Sequence, residues 1–280
     1  MLRKRIITAL VLLLFALPAM FHANEVWLGS FGLLLTSAAA WEWGKLNGLE
    51  TKHSLLMGLA CLIVCLFFWG AGWAGHLSRE TWMALGTLWI LLGTYILYAG
   101  LGKWQTISQT IRLNLGFGML CVTWLSLLQA KIMGSIFLLS VFSLVWIADI
   151  AAYFSGRKWG SRKLAPSISP GKSWEGVMGG IVAVLVWAAM WLTFQDMFPW
   201  LSGSIYSKLF VHGWTVMVVG IIFLTMTSVM GDLIESMVKR SAGAKDSSGL
   251  LPGHGGVLDR LDALMPTLPI SIMLSMFGLT

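Results

Sequence analysis

The sequence predicts an all-α, polytopic integral membrane protein, and three observations carry that prediction. Of its 280 residues, 57% are hydrophobic and only 11% are charged, against about 25% charged in a soluble globular domain. Its mean hydropathy is +0.80, and apolar stretches of the ~17–25 residues needed to cross a bilayer recur along the chain. The basic residues, finally, are strongly segregated. So few polar side chains cannot cover a surface facing water, which excludes a single soluble domain. A disordered chain is excluded too, since it needs low hydrophobicity and high charge.

Nine apolar stretches follow one another, most of them bounded by a charge. Segment 6–22 begins after Arg3-Lys4-Arg5, and 25–43 runs up to Lys45. The first also reads as a cleavable signal, with Ala-Met-Phe-His-Ala at its end; we take it as an uncleaved span. Segment 53–73 follows Lys52, 80–99 lies between Arg79 and Lys103, and 112–130 lies between Arg112 and Lys131. Segment 132–154 stops before Arg157, 174–195 before Asp196 and 213–235 before Lys239. The ninth, 263–279, is short and carries Pro266 and Pro269. The first five spans form an amino-terminal region, 1–130. The rest form a second region, 131–280, with the longest polar loops at 155–173 and 236–262.

Lys and Arg collect on the cytoplasmic side of membrane proteins. With the amino terminus inside, sixteen of the nineteen basic residues fall in inside segments, and only Arg79, Lys131 and Lys208 fall outside. The net charge of +7 is therefore explained by topology, and no nucleic-acid partner is expected. Cys61, Cys65 and Cys121 all lie in apolar stretches. Three is an odd number and no pair has zinc-finger spacing, so they read as ordinary buried small residues.

The informative residues are the polar ones packed close together. Eight of the twelve acids lie between residues 149 and 262, which places any chemistry on the cytoplasmic face of the second half. Asp149 and Tyr153 are one turn apart near the inner end of the sixth span, where a carboxylate is costly unless it faces protein, a partner or water. The loop that follows offers Gly156 and Gly160 for close backbone approach and Arg157, Lys158, Arg162, Lys163 and Lys172 as donors to phosphate oxygens. Glu175 closes it. On a helix, Asp232, Glu235, Ser236 and Lys239 share one face at spacings of three and four. Asp259 and Asp262 share another, if a helix starts near residue 257. Pro252-Gly253 and Gly255-Gly256 can fold the chain so that the two acidic faces meet. Paired carboxylates in oxygen-rich surroundings suit Mg²⁺. Each member also has a plainer role: Glu235 and Lys239 form an i,i+4 pair, Lys239 and Arg240 complement a helix C-terminus, and His254 between glycines is an ordinary turn residue.

Metal-binding acids ringed by Lys and Arg suit phosphoryl or nucleotidyl transfer, which needs positioning and charge neutralisation more than a protein nucleophile. A site open to the cytoplasm and set among membrane spans suits a soluble nucleotide and a membrane lipid. The residues alone leave lipid kinase, headgroup transferase and nucleotidyltransferase open.

The second loop narrows the choice. Ser236-Met-Val-Lys239-Arg240, Lys245-Asp246 and Pro252-Gly253-His254-Gly255-Gly256-Val-Leu-Asp259-Arg260-Leu-Asp262, at fixed spacing over 27 residues, resemble the signature of phosphatidate cytidylyltransferases. Ser169-Pro170-Gly-Lys172-Ser-Trp-Glu175-Gly176 is similar to that family's second shared stretch. The resemblance implies that CTP and phosphatidate give CDP-diacylglycerol and pyrophosphate, in an all-helical homodimer with a funnel-like cavity facing the cytoplasm; the compact loops and the charge bias point to a bacterial inner membrane. It implies Mg²⁺ at Asp232 and Asp259, with K⁺ able to share the centre. Lys239, Arg240, Lys245, Asp246, His254, Arg260 and Asp262 then form the expected catalytic set. Asp149, Tyr153, Arg157, Lys163, Ser169, Lys172, Glu175, Glu235 and Ser236 form the expected substrate-binding set. A cytidylyltransferase or CTP-dependent kinase acting on another lipid, such as an isoprenoid phosphate, would keep the same polar face. The reading from another class is an ion-coupled transporter with Asp149, Asp232 and Glu235 as its path.

Overall fold

A computed structural model describes residues 2–277. Each of the nine apolar stretches carries a helix, positions 278 and 279 of the ninth lying outside the described residues: α1 (Leu2–Phe21), α2 (Val26–Leu46), α3 (Thr51–Gly70), α4 (Arg79–Thr106), α5 (Gln109–Ile132), α6 (Ser135–Trp159), α7 (Trp174–Met197), α9 (Trp214–Ser241) and α11 (Leu264–Ser275). Two short helices, α8 (Ile205–Phe210) and α10 (Leu258–Leu261), complete the set.

Six of these helices, α3 to α7 and α9, are long and apolar enough to cross a membrane. The other three differ for separate reasons. The described apolar part of α1 is Leu10–Phe21. In α2, Gly, Ser, Thr and Glu42 dilute the apolar run. The twelve residues of α11 rise only about 18 Å at 1.5 Å per residue. Instead of facing lipid, α11 packs on α4, α5 and α9 at the centre of the bundle, with Met265 through Met273 all buried. The α6/α7, α2/α3 and α2/α5 pairs are the other main helix contacts. Trp43, Trp82, Trp104, Trp124 and Phe137 are among the largest side chains of the core.

The connections gather at two opposite ends of the bundle. At one end the Lys131 Nζ donates to the Met20 carbonyl at 2.6 Å, joining the close of α5 to the close of α1. At the other end Gln109 Nε2 donates to the Asn47 carbonyl at 3.0 Å, and Gln105 Nε2 to that of Ser241 at 3.2 Å. The segments expected as polar loops, 155–173 and 236–262, lie at this second end, but 155–159 continue α6 and 236–241 continue α9, so both loops are shorter than expected. There α4 kinks at Gly100 (φ 67°), and its last turn puts Trp104 edge-on against Trp43.

The departure from an all-α chain is a hairpin. Residues 160–173, expected as loop, form β1 (Lys163–Ala165) and β2 (Ser169–Ser173), antiparallel with Lys163 opposite Ser173. The three cysteines pack α3 on α5, with Cys61 Sγ 4.0 Å from Cys121 Sγ.

Candidate active site

Four elements enclose a cavity of about 530 Å³ at the end of the bundle that carries the polar loops: the last turns of α6, the hairpin and start of α7, the last turns of α9, and α10. Glycines let these elements approach. A Cβ on Gly231 would stand 2.2 Å from the Asp262 carbonyl oxygen and 2.8 Å from Pro266 Cδ, so α9 can lie against the α10–α11 turn only with hydrogen at that position. Asp232, the next residue, is thereby brought beside Asp262. A Cβ on Gly176 would likewise stand 2.9 Å from the Ala152 carbonyl, where α7 starts against α6.

Nine of the sequence-derived site residues line this cavity. Asp149, Tyr153 and Arg157 come from α6, Ser169 and Lys172 from β2, and Asp232 from α9. Asp259, Arg260 and Asp262 come from α10 and its C-terminal boundary. Lys172 Nζ lies 2.5 Å from Asp232 Oδ2, and the Ser236 hydroxyl donates to Asp232 Oδ1 at 3.2 Å. Asp262 is pushed well above the ordinary carboxylate range, first by burial and then by the charge of Asp232; its own Ala263 amide and Lys172 pull it back. The cavity thus gathers carboxylates that repel one another, with Lys172 standing where a metal cation would be welcome.

Asp259 is held differently. Its Oδ1 takes Lys239 Nζ at 2.5 Å. Its Oδ2 accepts from the Ser247 amide at 2.9 Å, the Ser247 hydroxyl at 2.8 Å and the Gly256 amide at 2.7 Å. Burial opposes its ionisation, but its hydrogen bonds, those from Lys239 and from the Gly256 and Ser247 amides among them, outweigh burial and bring the carboxyl down to about 2. Lys239 also lies 2.6 Å from Glu235 Oε2. Glu235 is buried beneath the cavity and does not line it. The acidic face of α9 therefore divides, with Asp232 and Ser236 turned to the hairpin and Glu235 and Lys239 to α10.

Several of the other sequence-derived residues support the cavity walls. The Glu175 carboxylate accepts from the Ser161 amide and hydroxyl and from the Arg162 amide and Nε, at 2.9–3.3 Å, tying the hairpin's entry to α7. Arg240 Nε donates to the Ile168 carbonyl at 3.3 Å, joining α9 to the hairpin turn. The His254 carbonyl accepts from Arg260 Nη2 at 2.6 Å. Lys163, Lys245 and Asp246 are exposed and outside the cavity lining.

Sequence reasoning missed Glu42. This residue of α2 is fully buried, and its carboxylate organises the site loop from more than 200 positions away. Its Oε1 accepts from the Ser248 hydroxyl at 2.5 Å and the Val257 amide at 3.0 Å. Its Oε2 accepts from the Leu258 amide at 2.7 Å and lies 3.0 Å from the Ser247 hydroxyl, whose single proton it shares with Asp259. Ser247 therefore stands between Glu42 and Asp259. A carboxylate inside an apolar stretch was the available signal, the same argument that singled out Asp149.

Comparison with known proteins decides the family. Residues 3–277 match the cytidylyltransferase family. The chain belongs to that family. It is similar to phosphatidate cytidylyltransferase of Pseudomonas aeruginosa, 40% identical over 96% of this chain and 95% of that one. It is 34% identical to the Haemophilus influenzae enzyme of the same name, over 96% of each chain. With the phosphatidate cytidylyltransferase of Staphylococcus saprophyticus it shares 30% identity, again over 96% of each. The chain is a nucleotidyltransferase and an integral membrane protein.

Proposed function

We propose that this cytidylyltransferase moves the cytidylyl group of CTP onto phosphatidate, giving CDP-diacylglycerol and pyrophosphate for phospholipid synthesis. The observation that carries the reading is the cavity itself. Asp149, Asp232, Asp259 and Asp262 share it with Arg157, Lys172 and Arg260, at one end of a bundle of apolar helices, where a water-soluble nucleotide and a membrane lipid can meet. The full-length similarity to phosphatidate cytidylyltransferases supports the choice of substrates.

In the reaction a phosphate oxygen of phosphatidate attacks the α-phosphorus of CTP. The bond from that phosphorus to the bridging oxygen breaks, and pyrophosphate leaves with the electron pair. The attacking phosphate is already an anion near pH 7, so no protein base is required. The obstacle is repulsion between two anionic substrates, which Arg157, Lys172 and Arg260 offset by facing the same cavity. Mg²⁺, held by Asp232 and Asp259, would supply the remaining neutralisation of charge on the leaving pyrophosphate. The donor set fits in kind: Asp232 is part-exposed and already holds an ammonium, and Asp259 lines the same cavity as a second carboxylate. The neighbouring Asp149 and Asp262 offer further oxygen ligands in the same cavity for a second cation such as K⁺.

The sixteen-to-three division of basic residues supports an amino terminus and a cavity on the cytoplasmic side of a bacterial inner membrane, and the family resemblance supports a homodimer. The direct test is product analysis with detergent-purified protein, CTP, phosphatidate and Mg²⁺. Pyrophosphate and CDP-diacylglycerol should appear together in equal amounts. Release of CDP instead would establish a kinase. Substrate-coupled uptake into vesicles without CTP turnover would establish a transporter.

A further inference from the structure

A second cavity, of about 500 Å³, lies between α1, α2, α5, α6 and α11. Its volume is within the ~300–1,000 Å³ typical of small-molecule pockets. Its walls are almost entirely apolar, with Thr36 and Thr123 part-way along, and its one charged lining residue, Arg260, stands with His254 at one end beside Leu261 and Leu264. Arg260 also lines the acidic cavity of the candidate active site. One guanidinium therefore stands at the junction of two cavities of opposite character.

From that junction the apolar cavity runs toward the far end of the bundle. On α1 it is lined from Leu12 to Met20 and on α6 from Ile150 back to Phe142, about 12 Å of helix in each case at 1.5 Å per residue. Its far end is near Leu28, Leu127 and Met20, whose carbonyl is pinned by Lys131. The outer wall is α1, which packs chiefly on α2 and only lightly on α6. The α1/α6 seam is thus the least closed part of the wall.

We propose that this cavity receives an acyl chain of phosphatidate, entering from the bilayer between α1 and α6, and that Arg260 pairs with the phosphate at the head of that chain. The inference rests on the cytidylyl-transfer reading and adds to it the path of the lipid. Nucleotide and lipid then reach the reacting atoms from opposite sides of Arg260. An elongated apolar slot with one cation at its mouth matches one of the two acyl chains leading up to an anionic headgroup. Moving the tail from bilayer to protein gains no hydrophobic free energy, because both surroundings are apolar. Fit alone decides which chains are accepted, so the length of the slot acts as a gauge of chain length.

The test uses the full-length enzyme in mixed micelles, with dihexanoyl and dioleoyl phosphatidate as alternative substrates. Leu127→Trp fills the far end and Ala16→Trp fills the middle. Both should raise the KM for the dioleoyl lipid at least fivefold while leaving the dihexanoyl KM and the CTP KM within twofold. Equal KM changes for both lipids, or none in variants that keep the wild-type melting temperature, would overturn the proposal. A second arm needs no variant: phosphatidate bearing a diazirine at its acyl terminus should label residues 12–20 or 123–127, and excess unlabelled phosphatidate should suppress the label. Labelling that phosphatidate does not compete would mean ordinary bilayer lipid in the slot and would equally overturn it. If the wild type releases no pyrophosphate with either lipid, the cytidylyl-transfer reading itself fails. If it turns over both but the filling variants do not discriminate, the acyl-chain assignment alone falls.

Discussion

Glu42→Ala offers the sharpest test of how the amino-terminal helices serve the site. The Glu42 carboxylate is the hydrogen-bond acceptor for two backbone amides, Val257 and Leu258, and two hydroxyls, Ser247 and Ser248. Val257 and Leu258 are buried. Each amide left without an acceptor costs about 1–3 kcal/mol, while the hydroxyls can rotate to other partners. The substitution should therefore weaken the closed form of the 247–258 segment by roughly 2–6 kcal/mol, a large share of the ~5–15 kcal/mol that holds a typical domain folded. Hydrogen exchange reads this directly. At 1.4 kcal/mol per decade, amides of Ser247 to Arg260 should exchange about thirtyfold faster or more, while those in the middle of α7 stay as they were. Because Ser247 links Glu42 to Asp259, kcat should fall at least tenfold. Wild-type exchange across 247–260 in a folded Glu42→Ala protein would refute the reasoning, as would faster exchange spread evenly over the whole bundle.

Other outcomes follow from the same geometry. Lys172→Ala removes the cation from Asp232 and should raise the KM for CTP or phosphatidate about tenfold; unchanged Michaelis constants for both would remove Lys172 from substrate binding. Glu175→Gln deletes an ion pair with a largely exposed Arg162, so global stability should barely change, yet proteolysis between residues 160 and 173 should quicken. Wild-type resistance there would show that the hairpin does not depend on Glu175. Gly231→Ala places a methyl group against the Asp262 carbonyl and Pro266, and overpacking of this kind costs about 1–3 kcal/mol. Its melting temperature and activity should both drop, and an unchanged melting temperature would mean that α9 and the α10–α11 turn part easily.

How much of this was legible in the sequence depends on the length of chain over which a signal accumulates. The apolar runs are long, and all nine became helices close to their expected bounds. The meeting of Asp232 with Asp262 was also readable, since glycines at 253, 255 and 256 turn the chain and Gly231 admits it. The hairpin was not. Its strands are three and five residues long, and the second contains Pro170 and Gly171, so no alternating pattern can develop. The division of the α9 face was hidden for another reason: a 3.6-residue period shows which residues are neighbours but not that two different elements pack on the same face. Glu42 was overlooked because its partners lie more than 200 residues away. The burial of α11 was masked by its composition, as an apolar helix surrounded by helices reads like one surrounded by lipid.

The central claim is cytidylyl transfer at the acidic cavity, and its most direct measurement is lipid-dependent pyrophosphate release. Purified wild type, Asp232→Asn and Asp259→Asn would be compared side by side with CTP and Mg²⁺, with and without phosphatidate. Release by the wild type only when phosphatidate is present, reduced at least a hundredfold in both variants at unchanged melting temperature, is the predicted result. Release that is independent of lipid, or full activity in either folded variant, would contradict it.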